Sequence, residues 1–219
     1  MLFRSRNFGV VAGVGVGAHV QLALANLVGL AYVRANKIDR IEIDSPHARF
    51  GIMTAGKAYL DTRQALADLG LDDATCAQLG IRLYKVGCVW PLEAHGARAF
   101  AEGLQEILVV EEKRQIMEYA LKEELYNWRD DVRPKVYGKF DERDNAGGEW
   151  SIPQNNWLLP AHYELSPAII AKAIATRLEK FDLPADIRAR IESRLAIIHA
   201  KERALRSEEH TSELQSRLH

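Results

Sequence analysis

Three short apolar runs, each followed by a stretch with helical spacing, limit what this chain can become. The runs are Phe50–Thr54, Ile81–Val86 and Glu106–Val110. Each is too short for a buried helix and shows no alternation, so each predicts a strand covered on both faces. After the first run, Ala58, Thr62, Ala65, Leu66 and Leu69 fall on one helical face and Gly70 ends the helix. Asp72 is placed to cap a short following turn. After the second, Gly87 and Pro91 mark a turn, with Pro91 as the first helical position and Leu92, Ala99, Phe100 and Gly103 continuing the spacing. After the third, a long helix is predicted from Glu112 to Trp128, with Met117, Leu121, Leu125 and Trp128 as its stripe and Glu118–Lys122 as an i,i+4 pair. Val136–Phe140 reads as a fourth strand. The expected fold class is therefore α/β, a mostly parallel sheet with helices on both faces and right-handed crossovers.

The flanks read differently. Phe8–Val33 is long and apolar and follows Arg4 and Arg6, the arrangement of a signal peptide or a membrane span. Gly9, Gly13, Gly15, Gly17 and Gly29 argue against a spanning helix, each weakening it by roughly 1 kcal/mol relative to Ala. His19, Gln21 and Asn26 interrupt the run. Gly13-x-Gly15-x-Gly17 lacks the G-x-G-x-x-G spacing of a dinucleotide site. Residues 21–36 are helical in pattern, and a loop is expected through Asp44-Ser45-Pro46. Past a turn at Asp144–Gly148, Trp150 to His162 is irregular and aromatic, with Trp150 and Trp157 flanking Pro153. Ser166-Pro167 then opens a helix with Ile170, Ala173, Ile174, Arg177, Leu178 and Phe181 on one face. Pro184 opens another, with Ile187, Ile191, Leu195, Ile198 and Leu205 aligned. This pair is read as a hairpin or a C-terminal helical arm reaching a neighbouring domain. Arg206–Ser216 resembles the in-frame translation of a sequencing adapter, and Leu2–Ser5 resembles its companion. Both are set outside the fold, and the natural chain is expected to continue past each end. The expected division is 1–26 set apart, 27–148 the α/β domain, 149–205 the irregular segment and arm, and 206–219 the tail.

Composition removes several function classes. With 29 Lys+Arg against 30 Asp+Glu, the chain has no global field to attract nucleic acid or an anionic membrane. The 2 cysteines, Cys76 and Cys88, cannot supply a four-thiolate zinc or iron–sulfur site, and they suit a reducing, cytoplasmic setting. His47, His95, His162 and His199 are scattered, without an HxxxH or HExxH pair, so no metal site is expected. No G-x-S-x-G elbow occurs.

A few residues stand where chemistry gathers in such folds. Gly56 and Lys57 lie between the first strand and its helix, where free N–H groups and the helix dipole favour an anion. A complete phosphate-binding loop of the G-x-x-x-x-G-K-[ST] type is not present: Gly51, Gly56 and Lys57 keep its spacing, but Ala58 replaces Ser or Thr. Glu111 and Glu112 lie at the end of the third strand, where ligands collect in open parallel sheets. The favoured reading makes them compensate the positive end of the following helix. Cys88 precedes the helix predicted to open at Pro91, which would lower its pKa, although packing is the favoured role.

Phe-Gly-Ile-Met-Thr-Ala-Gly-Lys-Ala-Tyr-Leu-Asp from Phe50 to Asp61 is similar to a signature of the indolepyruvate ferredoxin oxidoreductase family. So are Tyr84–Glu93 and Glu106–Arg114, in the same order along the chain. The resemblance runs from about Leu27 to Leu205. It implies a large enzyme that oxidatively decarboxylates aryl 2-oxo acids with thiamine diphosphate, Mg²⁺, iron–sulfur clusters and coenzyme A, and passes electrons to ferredoxin. Within it, this region resembles the transketolase C-terminal-type domain, which packs beside the thiamine-binding domains. The family's G-D-G…N diphosphate motif and its cysteine-rich motifs do not occur in this sequence. The resemblance thus implies a structural, interfacial domain with no catalytic residue of its own, partnered by the parent enzyme's remaining domains in a homo-oligomer. Two other readings stay open: a free-standing α/β module binding an anion at Gly56 and Lys57, and an oligomerisation domain built on the helices from Ser166 to Leu205.

Overall fold

A computed structural model describes residues 20, 24–141, 157–162 and 164–216, without the side chains of 206–216. The glycine-spaced part of Phe8–Val33, the Asp144–Gly148 turn, Trp150 and Pro153 lie outside the described residues. A helix, α1 (residues 24–35), precedes the sheet. The chain then runs through β1 (Arg40–Ile43), β2 (Phe50–Ala55), α2 (Gly56–Asp68), α3 (Asp73–Leu79), β3 (Ile81–Val86), α4 (Ala94–Ala101), β4 (Glu106–Val110), α5 (Met117–Leu125), β5 (Lys135–Tyr137), α6 (Pro167–Leu178) and α7 (Ala185–Ser216).

The sheet order is β1-β3-β2-β4-β5. Its four inner and far strands are parallel, with Phe50 opposite Ile81 on one side and Glu106 on the other. Only β1 is antiparallel, pairing Arg40 with Lys85. β2 and β4 are buried almost throughout, as continuous apolar runs covered on both faces should be. The predicted strands at β2, β3 and β4 match the observed ones within a residue. β1 corrects the expected loop before Asp44: Arg-Ile-Glu-Ile is a half-exposed edge strand with weak local signal, and pairing with β3 creates it.

Two cores sit on opposite faces. One gathers Phe50, Ile52, Leu83, Leu108 and Val110 with α2, α3, α6 and the start of α7. The other gathers Met53, Tyr84, Ile107 and Val109 with α4 and α5. The step from β2 out to β3 thus uses one face, and the steps to β4 and β5 use the other. Opposite directions of travel need opposite faces if all crossovers share one hand.

Local signals explain several helix ends. The Asp72 carboxylate accepts from Thr75 N–H at 2.8 Å to cap α3, and Ser166 Oγ accepts from Ile169 N–H at 3.4 Å to cap α6. Gly80, at φ 82°, closes α3 in the left-handed region. Two starts differ from expectation. α4 begins at Ala94 rather than Pro91, because the Glu93 carboxylate accepts from His95 and Gly96 N–H at 3.2 and 2.6 Å and fixes the N-terminus there. α5 begins at Met117 rather than Glu112, because Glu111 turns back to cap it and Lys113 takes φ 57° in the intervening loop.

The C-terminal helices also sit differently from a detached arm. Ile170, Ala173, Ile174, Arg177 and Leu178 of α6 are buried in the same core as β2 and β4. Arg177 forms a two-pronged ion pair with Glu106 at the start of β4, Nη2 to Oε2 at 2.6 Å, and its guanidinium lies 4.0 Å from the Tyr137 ring centre. Ile187, Ile191 and Ile198 of α7 join that core, whereas Leu205 is exposed, contrary to its place in the predicted stripe. No helix among the described residues is long and apolar enough to cross a membrane.

Candidate functional site

Reversal of strand order creates a crevice between β2 and β4 at their carboxyl ends. Chains leave β2 toward one edge of the sheet and β4 toward the other, so the two loops part and leave space. A cavity of about 240 Å³ opens there, lined by Ala55, Gly56, Lys57, Ala58, Val89, Glu111, Glu112, Arg114, Ile116 and Met117. The four strand-end residues singled out in the sequence, Gly56, Lys57, Glu111 and Glu112, therefore meet at one place.

Gly56 opens α2 with φ +55°, and a Cβ added there would meet nothing within 4 Å. Ala55 supplies no side-chain cap, so the first N–H groups of α2 have no carboxylate or hydroxyl from their own cap residue. Lys57 does not turn to that space alone. Its ammonium donates to Asp61 at 2.7 Å, to the Leu165 carbonyl at 3.1 Å and to Glu112 at 3.3 Å. The Asp61 hydrogen bond is the chief reason its pKa lies above the ordinary 10.5.

Glu111 is directed inward. Its Oε2 accepts from Ile116 and Met117 N–H at 3.0 and 2.9 Å, and its Oε1 from Glu118 N–H at 3.0 Å. Both oxygens are thus spent on the positive end of α5. Burial holds this carboxyl above its ordinary range, against the pull of the three N–H groups. Beneath it, the buried Lys139 ammonium donates to the Glu111 carbonyl. Lys139 N–H donates to Glu118 at 3.2 Å, and Glu118 also accepts from Lys122 at 2.5 Å. No local pattern marks Lys139, whose partners lie 21 and 28 positions away. Glu118–Lys122 was legible from its spacing, but the burial of Glu118 was not.

Other singled-out residues lie apart. Cys76 is buried and desolvation pushes its thiol up to about 12. The Cys88 thiol lies 3.7 and 3.6 Å from the carbonyls of Trp90 and Pro91. Trp157 packs on Phe140 and His162, with ring centres 4.5 and 4.9 Å away. Among the described residues no three His, Cys, Asp or Glu side chains converge as metal ligands would.

Fold and crevice together define an open, doubly wound α/β domain with its strand-end opening at the switch point. The chain belongs to the indolepyruvate ferredoxin oxidoreductase family, whose middle-domain model matches residues 39–208. It is 28% identical over 98 residues to the indolepyruvate oxidoreductase subunit IorA of Pyrococcus horikoshii, covering 44% of this chain and 14% of that protein. The IorA subunit of Thermococcus kodakarensis is 30% identical over 94 residues, covering 42% and 13%. The chain thus spans about a seventh of the length of these curated relatives. Among solved structures, a 2-oxoglutarate:ferredoxin oxidoreductase from Magnetococcus marinus is similar at 20% identity and TM-score 0.32, over 46% of this chain and 16% of that one. A split-gene transketolase described as an inactive beta4 tetramer is similar at 15% identity and TM-score 0.36, over 72% and 42%.

Proposed function

We propose that this chain is a structural and interfacial domain of a larger thiamine-diphosphate-dependent aryl 2-oxo acid:ferredoxin oxidoreductase, and that the reacting groups belong to other domains. The observation that carries this reading is the state of the crevice charges. A general acid, base or phosphate-binding cation must be free to meet a substrate. Here both Glu111 oxygens cap α5, and Lys57 is shared among Asp61, Glu112 and the Leu165 carbonyl.

The parent's cofactors do not suit the donor set present. An iron–sulfur cluster takes several thiolates, whereas Cys76 is buried with a raised pKa. A Mg²⁺–diphosphate centre needs open oxygen ligands, and Glu111 is buried with both oxygens accepting from the first N–H groups of α5. Thiamine diphosphate, Mg²⁺, iron–sulfur clusters and coenzyme A are therefore assigned to the remainder of the parent. So are the contact with ferredoxin and the homo-oligomeric assembly. The setting is cytoplasmic, and the boundaries near 27 and 205 are working divisions, whereas one near 148 would part α6 from the core it shares with β2 and β4.

Calorimetry of this chain with thiamine diphosphate and Mg²⁺ tests the assignment. No saturable heat is expected, and no turnover of indolepyruvate. Tight stoichiometric binding would overturn it. The competing anion-module reading draws on one observation, the uncapped start of α2 at Gly56. It requires Lys57→Ala to weaken phosphate binding in a salt-dependent way.

A further inference from the structure

α1 has no polar face. Between residues 24 and 35 only Asn26, Tyr32 and Arg34 carry a polar side-chain group. At 3.6 residues per turn, Leu24, Leu27, Val28, Ala31 and Tyr32 share one side, and Asn26, Leu30 and Val33 lie opposite. The second side meets this domain: Val33 is buried, and Asn26 and Leu30 are partly covered. Arg34 is held at the same end, its Nη2 donating to Glu93 at 2.6 Å. The first side is bare, with Leu24 at 55%, Leu27 at 65%, Val28 at 69% and Tyr32 at 61% exposure.

A helix that is apolar all round belongs in an interior. It is not built to lie on a lipid surface, which calls for a charged face opposite the apolar one. The described residues 24–35 alone span about 18 Å, short of the roughly 30 Å hydrocarbon core. Protein on both sides fits such a helix. α1 stands just before residue 39, where the match to a family model named for a middle domain begins, and the curated relatives are several times longer than this chain.

We infer that the Leu24–Leu27–Val28–Tyr32 face of α1 is the docking surface for the domain that precedes this one in the same parent polypeptide. That domain offers a complementary apolar patch, with Tyr32 as the kind of large anchor on which interface energy concentrates. Arg34–Glu93 fixes the helix to the middle domain, so docking on α1 also orients the two domains. The inference rests on the proposed reading of the chain as part of a larger enzyme.

Hydroxyl-radical footprinting at Leu27, Val28 and Tyr32 compares this 219-residue chain with the full-length parent. Labelling is expected to fall about five-fold in the parent, as interface cores approach the packing of interiors. Val28→Asp with Tyr32→Asp should leave the melting temperature of this chain unchanged and restore labelling of Leu27 in the parent. Equal labelling in the two chains overturns the inference. Protection that appears in this chain alone as its concentration rises also overturns it, in favour of a second copy. Protection only on adding phosphatidylcholine–phosphatidylglycerol vesicles overturns it in favour of a membrane. A parent gene no longer than this chain removes the inference and the larger-enzyme reading together, whereas a long parent with a bare Tyr32 removes the inference alone.

Discussion

Glu93 shows how much one side chain holds at once. It is buried, caps α4 through His95 and Gly96 N–H, and accepts two hydrogen bonds from Arg34 on α1. Burial opposes its charge, but the bonds from Gly96, Arg34 and His95 outweigh that cost and hold the carboxyl below its ordinary 4.5. In the unfolded chain the group returns to the ordinary value and binds more protons at mildly acidic pH. Its contribution to stability is therefore full above pH 4.5 and is lost as pH falls through the lower folded value. Urea midpoints of the wild-type chain and Glu93→Gln should differ most near neutrality and converge on acidification. A gap that stays constant with pH would show that the charge of Glu93 is irrelevant. Glu111 tends the other way, since burial raises its pKa, but it is common to both chains and cancels. The short-range caps at Asp72 and Ser166 were legible because they act within three residues. Glu93 was not legible as a cap, because Glu is not among the preferred N-cap residues and its partner Arg34 lies 59 positions away.

At the scale of elements, pattern succeeded where burial is complete and failed where partners are distant. β2, β4, α2 and α6 carry uninterrupted apolar runs or stripes, and the residues picked for them are buried. β1 and the loop before α5 depend on tertiary contacts that no local pattern encodes. The crevice itself was half legible. Gly56, Lys57, Glu111 and Glu112 follow from strand ends alone, but which are tied up depends on Leu165, more than 100 positions from Lys57, and on the loop of α5. The Arg177–Glu106 pair is another unpredicted tie, and a buried one. Arg177 is almost fully buried, and Glu106 nearly so. Removing one partner leaves a buried charge unpaired, a loss of about 3–5 kcal/mol. Arg177→Met should cost about that much in urea unfolding. Glu106→Gln combined with Arg177→Met should recover a large part, because no full charge then stays buried. Equal losses in the single and double variants would mean that the cost is packing against Tyr137 rather than charge.

For the whole molecule, the question is whether the sheet can stand without the helices on its C-terminal side. A boundary at 148 makes residues 27–148 a domain and α6 an appendage. The packing speaks against that division. α6 packs on α2 within the same core as Phe50, Ile52, Leu108 and Val110. Its Ile170, Ile174 and Leu178 are each at most 2% exposed. At about 1.5–3 kcal/mol per fully buried aliphatic side chain, those three alone contribute roughly 5–9 kcal/mol. A domain's entire net stability is about 5–15 kcal/mol, so loss of α6 is comparable to the whole margin. It also strips the cover from strand residues that are now dry, and leaves Glu106 without Arg177. A chain cut after Gly148 should therefore fail to melt cooperatively by circular dichroism. A chain cut after Leu205, which is itself exposed, should melt within a few degrees of the intact one, since surface positions shift stability by only about 0.5 kcal/mol. If the shorter chain instead melts sharply near the intact value, α6 is an arm after all, and the core on that face needs no helix from beyond residue 148. If both cuts unfold it, the distal part of α7 contributes more than its exposed Leu205 suggests.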